Sequence, residues 1–197
     1  ITANIPTGEN YSLAYTASAP LNPPFGSCSP SCGSAQMLHS LTATGPAFCA
    51  GHDLKELAAH RADEDRGRAF YRLTMDRCAA VMTSILRAPK PFIAAVEGVA
   101  TAAGCQLVAA CDLSVMRDDA KIGFTEVRIG VAPAVISVVC LPKLRRADAS
   151  ELFLTGDRIT PARAAEVGLI NRAVPAAEID DAVNAYVSMV VRGGPIA

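Results

Sequence analysis

Residues 98–111, Gly-Val-Ala-Thr-Ala-Ala-Gly-Cys-Gln-Leu-Val-Ala-Ala-Cys, form an uncharged stretch of mostly small and apolar residues. They follow Phe92-Ile-Ala-Ala-Val96, a short apolar run bounded by Pro89 and Pro91 on one side and by Gly98 on the other. A run of that length, apolar at every position, fits a strand buried on both faces, and such a strand needs helices layered over it. The stretch that follows is made of small residues and good helix formers. The chain therefore steps from a buried strand, through a turn of small residues, into an apolar helix. A membrane-spanning helix needs roughly 18 apolar residues. Neither this stretch nor the apolar residues 131–142 reaches that length.

The remaining pattern continues the alternation of strand and helix. Asp53 and Glu56 stand in a D-x-x-E capping arrangement that opens a short helix at Leu54. Phe70, Leu73, Thr74, Val81, Met82, Ile85 and Leu86 keep helical spacing, and Pro89 and Pro91 end that helix. Residues 113–116 and 121–124 read as short strands. Residues 146–197 are helical by pattern: Thr160-Pro161 forms a cap and first turn, Gly168 stops that helix, residues 169–174 are extended, and residues 178–191 make a last helix before Gly193-Gly194-Pro195. The expectation is a layered α/β fold. No internal repeat is visible.

Composition narrows the function. With 51% hydrophobic and 19% charged residues, the 197-residue chain is expected to pack one core rather than remain disordered. Lys and Arg total 18 against 19 Asp and Glu, so no basic surplus exists for a nucleic-acid backbone or an anionic membrane surface. Trp is absent and aromatics are 5%, which argues against base-stacking platforms. Seven cysteines are an odd number for a disulfide framework, and Cys49, Cys78, Cys105, Cys111 and Cys140 sit among apolar residues as small hydrophobes do. A reducing, cytoplasmic setting is expected. Cys28 and Cys32 lack a second pair at zinc spacing, and His39, His52 and His60 share no ligand spacing, so no metal site is expected. No basic segment followed by an apolar run opens the sequence, so no secretory signal is read. The first residue is Ile1 rather than Met, and the true start is expected upstream.

No P-loop, G-x-G-x-x-G, G-x-S-x-G or H-E-x-x-H is present, which removes the usual support for nucleotide, serine-hydrolase and zinc-protease readings. Two loop-to-helix junctions remain. One is Gly45-Pro-Ala-Phe-Cys-Ala-Gly-His-Asp53 and the other is Gly98-Val-Ala-Thr-Ala-Ala-Gly-Cys-Gln106. Backbone N–H groups at such helix starts lack internal partners and carry partial positive charge. Small side chains leave them approachable, and two amides converging on one oxygen make an oxyanion hole. Gly and Ala at these turns also serve close helix–strand packing, and composition leaves both readings open.

Residues 45–57 resemble the first signature of the crotonase superfamily, the enoyl-CoA hydratase/isomerase family. So do Pro89-Lys-Pro-Phe-Ile-Ala-Ala-Val-Glu-Gly98, Ala103-Gly-Cys-Gln-Leu107, Cys111-Asp-Leu113, Gly123-Phe-Thr-Glu-Val-Arg-Ile-Gly130, Leu154-Thr-Gly156, Ile159-Thr-Pro-Ala-Arg-Ala164 and Gly168-Leu-Ile-Asn171. The resemblance covers about residues 41–192, with order and spacing kept. It implies a crotonase-like (ClpP/crotonase) α/β fold of stacked ββα units with a helical C-terminal part, in one domain over residues 1–197. It also implies an acyl-CoA thioester as ligand, with CoA part of the substrate, no separate cofactor, and a homotrimer or dimer of trimers.

Carried over by position, the oxyanion-hole amides are those of His52 and Ala103. The acid/base pair falls on Glu126 and Gln106, and Ala50, Asp53, Leu54 and Gly104 line the substrate. His52 would act through its main chain, its imidazole a neighbour of the CoA rather than a proton carrier. Gln106 departs from the family, which has a glutamate there. A carboxamide orients by hydrogen bonds but is no general base near neutral pH. The resemblance thus implies an enoyl-CoA hydratase-like enzyme. The alternatives are a Δ3–Δ2 enoyl-CoA isomerase using Glu126 alone and a degenerate acyl-CoA-binding homologue without catalysis.

The N-terminal zone departs from the family pattern. Residues 1–6 and 10–13 fit the expected strand and turn, but residues 18–34 are crowded with Ser, Pro, Gly and Cys where an amphipathic helix is expected. Pro20, Pro23 and Pro24 oppose a helix there. A shifted reading frame over residues 18–28 permits Leu-Arg-Ala-Ala-Glu-Ser-Ala-Phe-Arg-Glu-Leu, an amphipathic segment, with the frame restored by residues 40–42. The expectation is a frame-shifted segment here and, after residue 192, loss of the family's final helices.

Overall fold

The computed structural model describes residues 2–3, 12–16 and 38–193. Its strands fall into two sheets, and the chain passes from one to the other in a regular step. Strand β3 (His39–Thr44) leads through a tight turn into β4 (Ala47–Cys49), then into helices α1 (Leu54–Ala59) and α2 (Arg68–Leu86). Strand β5 (Phe92–Val96) leads into β6 (Val99–Thr101) and α3 (Ala103–Ala110). Strand β7 (Leu113–Arg117) leads into β8 (Ile122–Gly123), a 3-10 turn (Glu126–Ile129) and α4 (Ala134–Cys140). Three successive ββ-helix units therefore stack side by side. The first strand of each lies in one sheet and the second strand in the other.

The larger sheet has the order β1-β2-β3-β5-β7-β10, where β1 is Thr2–Ala3, β2 is Ser12–Thr16 and β10 is Arg172–Val174. The pairs β1/β2 and β2/β3 are antiparallel, while β3, β5, β7 and β10 run parallel. The smaller sheet has the order β4-β6-β8-β9, with β9 at Arg158–Ile159. Its first three strands are parallel and β9 is antiparallel. Helix α5 (Arg146–Thr155), α6 (Pro161–Glu166) and α7 (Ile179–Arg192) complete the described chain.

Strand β5 is buried at every position, as its composition requires. Phe92, Ala94 and Val96 enter the main core with Leu41, Leu107 and Met116. Ile93 and Ala95 face the other way, into a second core with Val115 and the α7 residues Ile179 and Val183. The period-2 alternation of a strand thus feeds two cores at once. Ile93 and Val96 are fully buried, each side chain worth about 1.5–3 kcal/mol of transfer free energy.

Several local expectations meet the structure directly. The Asp53 carboxylate caps α1, accepting from the N–H of Lys55 at 2.8 Å and of Glu56 at 3.4 Å. Thr160 caps α6, its hydroxyl accepting from the Arg163 N–H. The five cysteines expected in apolar surroundings are buried free thiols. Others are corrected. Leu73 and Leu86 of α2 are exposed, and Cys78 joins Thr74, Met82 and Ile85 on the buried face. Residues 99–101, read as part of a turn, form β6, which is too short to show a period. Residues 18–34, Cys28 and Cys32 lie outside the described residues. Among the described residues, no helix is long and apolar enough to cross a membrane.

Candidate active site

In the smaller sheet β4, β6 and β8 run parallel, with a register shift in β4 between Ala47 and Cys49; Cys49 stands opposite Ala100 and Thr101 opposite Gly123. Their C-terminal ends share one edge, the edge at which parallel sheets present ligand sites. His52 lies just past β4, Ala103 just past β6 and Glu126 just past β8. Three of the residues singled out in the sequence are therefore brought to one edge by the strand order alone.

Three glycines hold the two junctions together. A Cβ on Gly98 would stand 3.0 Å from the Ala47 Cα, and one on Gly104 only 1.9 Å from the Cys49 carbonyl oxygen. Gly51 adopts φ +93°, and a Cβ there would meet the Ala102 Cβ at 2.9 Å and the Ala103 nitrogen at 3.5 Å. The small residues thus serve close packing, and that packing lays the His52 junction beside the Ala103 junction. The Thr101 hydroxyl adds a tie to the Ala50 carbonyl at 3.3 Å.

Ala102 has φ 53° and ψ −125°, a conformation that disfavours any residue with a Cβ and costs on the order of 1–3 kcal/mol. Its own N–H donates to the Gly123 carbonyl and its carbonyl accepts from the Gln106 N–H, so the peptide is fixed on both sides. The ψ of Ala102 sets the direction of the Ala103 N–H, at the start of a helix with no side-chain cap. Among the described residues, neither the His52 nor the Ala103 N–H donates to a backbone carbonyl.

The side chains around these amides differ in state. Glu126 is half-buried, and burial holds its carboxyl above the usual carboxylate range. Its Oε2 is buried without a partner among the described residues. The fully buried Cys105 thiol is raised, first of all by burial and then by the neighbouring Cys140 thiol and the Glu126 carboxylate. Cys105 lies in the first turn of α3. Gln106 is on that helix, 6% exposed. The His52 imidazole is half-buried, pushed towards its neutral form by burial, and its Nε2 is also buried and unpartnered among the described residues. The Asp53 carboxylate is committed to capping α1, whereas Ala50 and Leu54 are exposed beside it. Among the described residues, no three His, Cys, Asp or Glu side chains gather where they could hold a metal ion. No residue pattern marks the strained Ala102, because an alanine does not announce a positive φ.

A protein of stacked ββα units, with helix-start amides and a desolvated carboxylate at one edge of a small parallel sheet, is of the crotonase class. The chain belongs to the enoyl-CoA hydratase/isomerase family, whose sequence model matches residues 40–197. It is similar to human enoyl-CoA hydratase domain-containing protein 3, mitochondrial, at 38% identity over 141 residues, covering 72% of this chain and 45% of that protein. Among solved structures it resembles an enoyl-CoA hydratase of Mycobacterium smegmatis, at 40% identity and TM-score 0.68, covering 75% of this chain and 56% of that one. It also resembles an enoyl-CoA hydratase of Bacillus anthracis, at 30% identity and TM-score 0.75, covering 83% and 62%. The chain spans less than two thirds of the length of each of these relatives.

Proposed function

We propose that the protein binds an acyl-CoA thioester and stabilises its enolate, acting as an enoyl-CoA hydratase-like enzyme. The observation that carries this reading is the juxtaposition at one sheet edge of the His52 and Ala103 junctions with the half-buried Glu126. In this reading the two amides donate to the thioester oxygen as it gains negative charge, and the start of α3 adds its dipole to theirs. Glu126 is the proton carrier, Gln106 orients by hydrogen bonds, and Ala50, Asp53, Leu54 and Gly104 border the ligand. In hydration, the water oxygen bonds to C3 while the C2=C3 electron pair moves onto the thioester. The proton released by the water is carried by Glu126 and returned to C2.

The uncharged Gln106 favours a second reading, a Δ3–Δ2 isomerase. There Glu126 takes a proton from C2, the electrons pass to the thioester oxygen, and the proton returns at C4. One carboxylate suffices for this exchange. We further propose a homotrimer as the assembled form. The test is to supply crotonyl-CoA and 3-enoyl-CoA separately. Loss of enoyl absorbance from crotonyl-CoA supports hydration. Its growth from 3-enoyl-CoA alone supports isomerisation. Neither change, with CoA bound, supports a non-catalytic homologue.

A further inference from the structure

Among the described residues two buried side-chain polar atoms have no hydrogen-bond partner, the Nε2 of His52 and the Oε2 of Glu126. Buried polar atoms are paired in the great majority of cases, and an orphan at a site asks for a ligand that pairs with it. Both atoms belong to residues just past parallel strands of one sheet, His52 after β4 and Glu126 after β8, with β6 and the Ala103 amide between them. The rest of the neighbourhood is otherwise engaged. Asp53 caps α1 and His60 pairs with Asp63. Burial keeps the His52 ring neutral, so it brings no charge beside Glu126 and its Nε2 is free to accept or donate.

We propose that the His52 side chain, and not only its main chain, works in the site: its Nε2 hydrogen-bonds the oxygen at C3 of the acyl group, opposite Glu126. This rests on the acyl-CoA reading above and deepens it. The oxygen is the incoming water before addition and the 3-hydroxyl after it, so the site discriminates for acyl-CoA thioesters oxygenated at C3. His52 thereby supplies, from the turn after β4, a polar side chain for the oxygen that the uncharged Gln106 on α3 would not deprotonate.

The test compares the dissociation constants of 3-hydroxybutyryl-CoA and butyryl-CoA by calorimetry on the full chain. Binding of butyryl-CoA by the wild type tests the underlying reading, and the ratio of the two constants tests this proposal. One net hydrogen bond between neutral groups corresponds to a preference of about threefold to tenfold for the hydroxyacyl ligand. His52→Ala is expected to bring the ratio to about one, and His52→Gln, which keeps a hydrogen-bonding group, to retain part of the preference. If His52→Ala does not fold, His52→Gln and the wild-type ratio still decide. A wild type that binds both ligands equally, or a preference that survives His52→Ala, overturns the proposal while leaving the acyl-CoA site standing. A wild type that binds neither ligand overturns both.

Discussion

Glu126 and Gln106 carry most of the chemical argument, and they can be altered without touching the backbone amides. Glu126→Gln is expected to lower turnover about 10²–10⁴-fold, the usual loss on removing a general acid/base, while CoA affinity changes little. Unchanged turnover would remove Glu126 from the mechanism. Gln106→Glu is expected to raise hydration, because a second carboxylate near Glu126 pushes one of the two pKa values upward and creates an acid/base pair. A folded, CoA-binding Gln106→Glu protein with no gain in hydration would contradict that assignment.

The pH dependence of stability has opposite signs at the two buried groups. Glu126 holds its proton more tightly folded than unfolded, so its contribution is complete below the ordinary carboxylate range and is lost as pH rises through the raised value. His52 is depressed by burial, so its contribution is complete above the ordinary imidazole range and is lost as pH falls through the lowered value. Glu126→Gln is therefore expected to flatten the loss of stability above the carboxylate range, read from denaturant midpoints across a pH series. A midpoint series that keeps the wild-type slope would show that Glu126 is not desolvated.

At the scale of elements, the junctions make the sharpest claims. Gly104→Ala would drive a Cβ into the Cys49 carbonyl and separate α3 from β4. A loss of about 3 kcal/mol is expected, seen as a fall in Tm, with turnover reduced in the fraction that folds. Ala102→Gly is expected to stabilise by about 1 kcal/mol, since relief of the positive φ outweighs the added freedom of the unfolded chain. A lower unfolding midpoint for Ala102→Gly would mean that Ala102 is not strained.

The same elements show what can be read from residues alone. The α1 cap was legible because Asp53 acts on amides two and three positions away. Strand β5 was legible because both its faces are buried. Strands β4 and β6 were not, because three residues carry no period and their pairing depends on distant glycines. The buried face of α2 was misjudged at Leu73 and Leu86, where hydrophobicity alone does not say which turn meets α3. Of the candidate site, the positions were legible through the family resemblance. The desolvation of Glu126 and the buried Nε2 of His52 were not, since burial is a property of the assembled core.

For the whole molecule, the three ββ-helix steps explain why a chain without sequence repeats builds a repeated architecture: the two sheets impose the repeat, and each unit fills its layer with different side chains. Val135, Val138 and Leu141, on α4 and just after it, remain exposed in the single chain. Apolar surface of this kind favours association. Sedimentation equilibrium is expected to give three times the chain mass, and a concentration-independent monomer would contradict the trimer.

The central claim is that this sheet edge stabilises a thioester enolate. It is tested most directly by incubating the protein with butyryl-CoA in D2O and following deuterium at C2 by NMR. Exchange well above the protein-free rate is expected, falling about 10²–10⁴-fold in Glu126→Gln. Exchange no faster than in buffer while butyryl-CoA is bound, or exchange indifferent to Glu126→Gln, would contradict it.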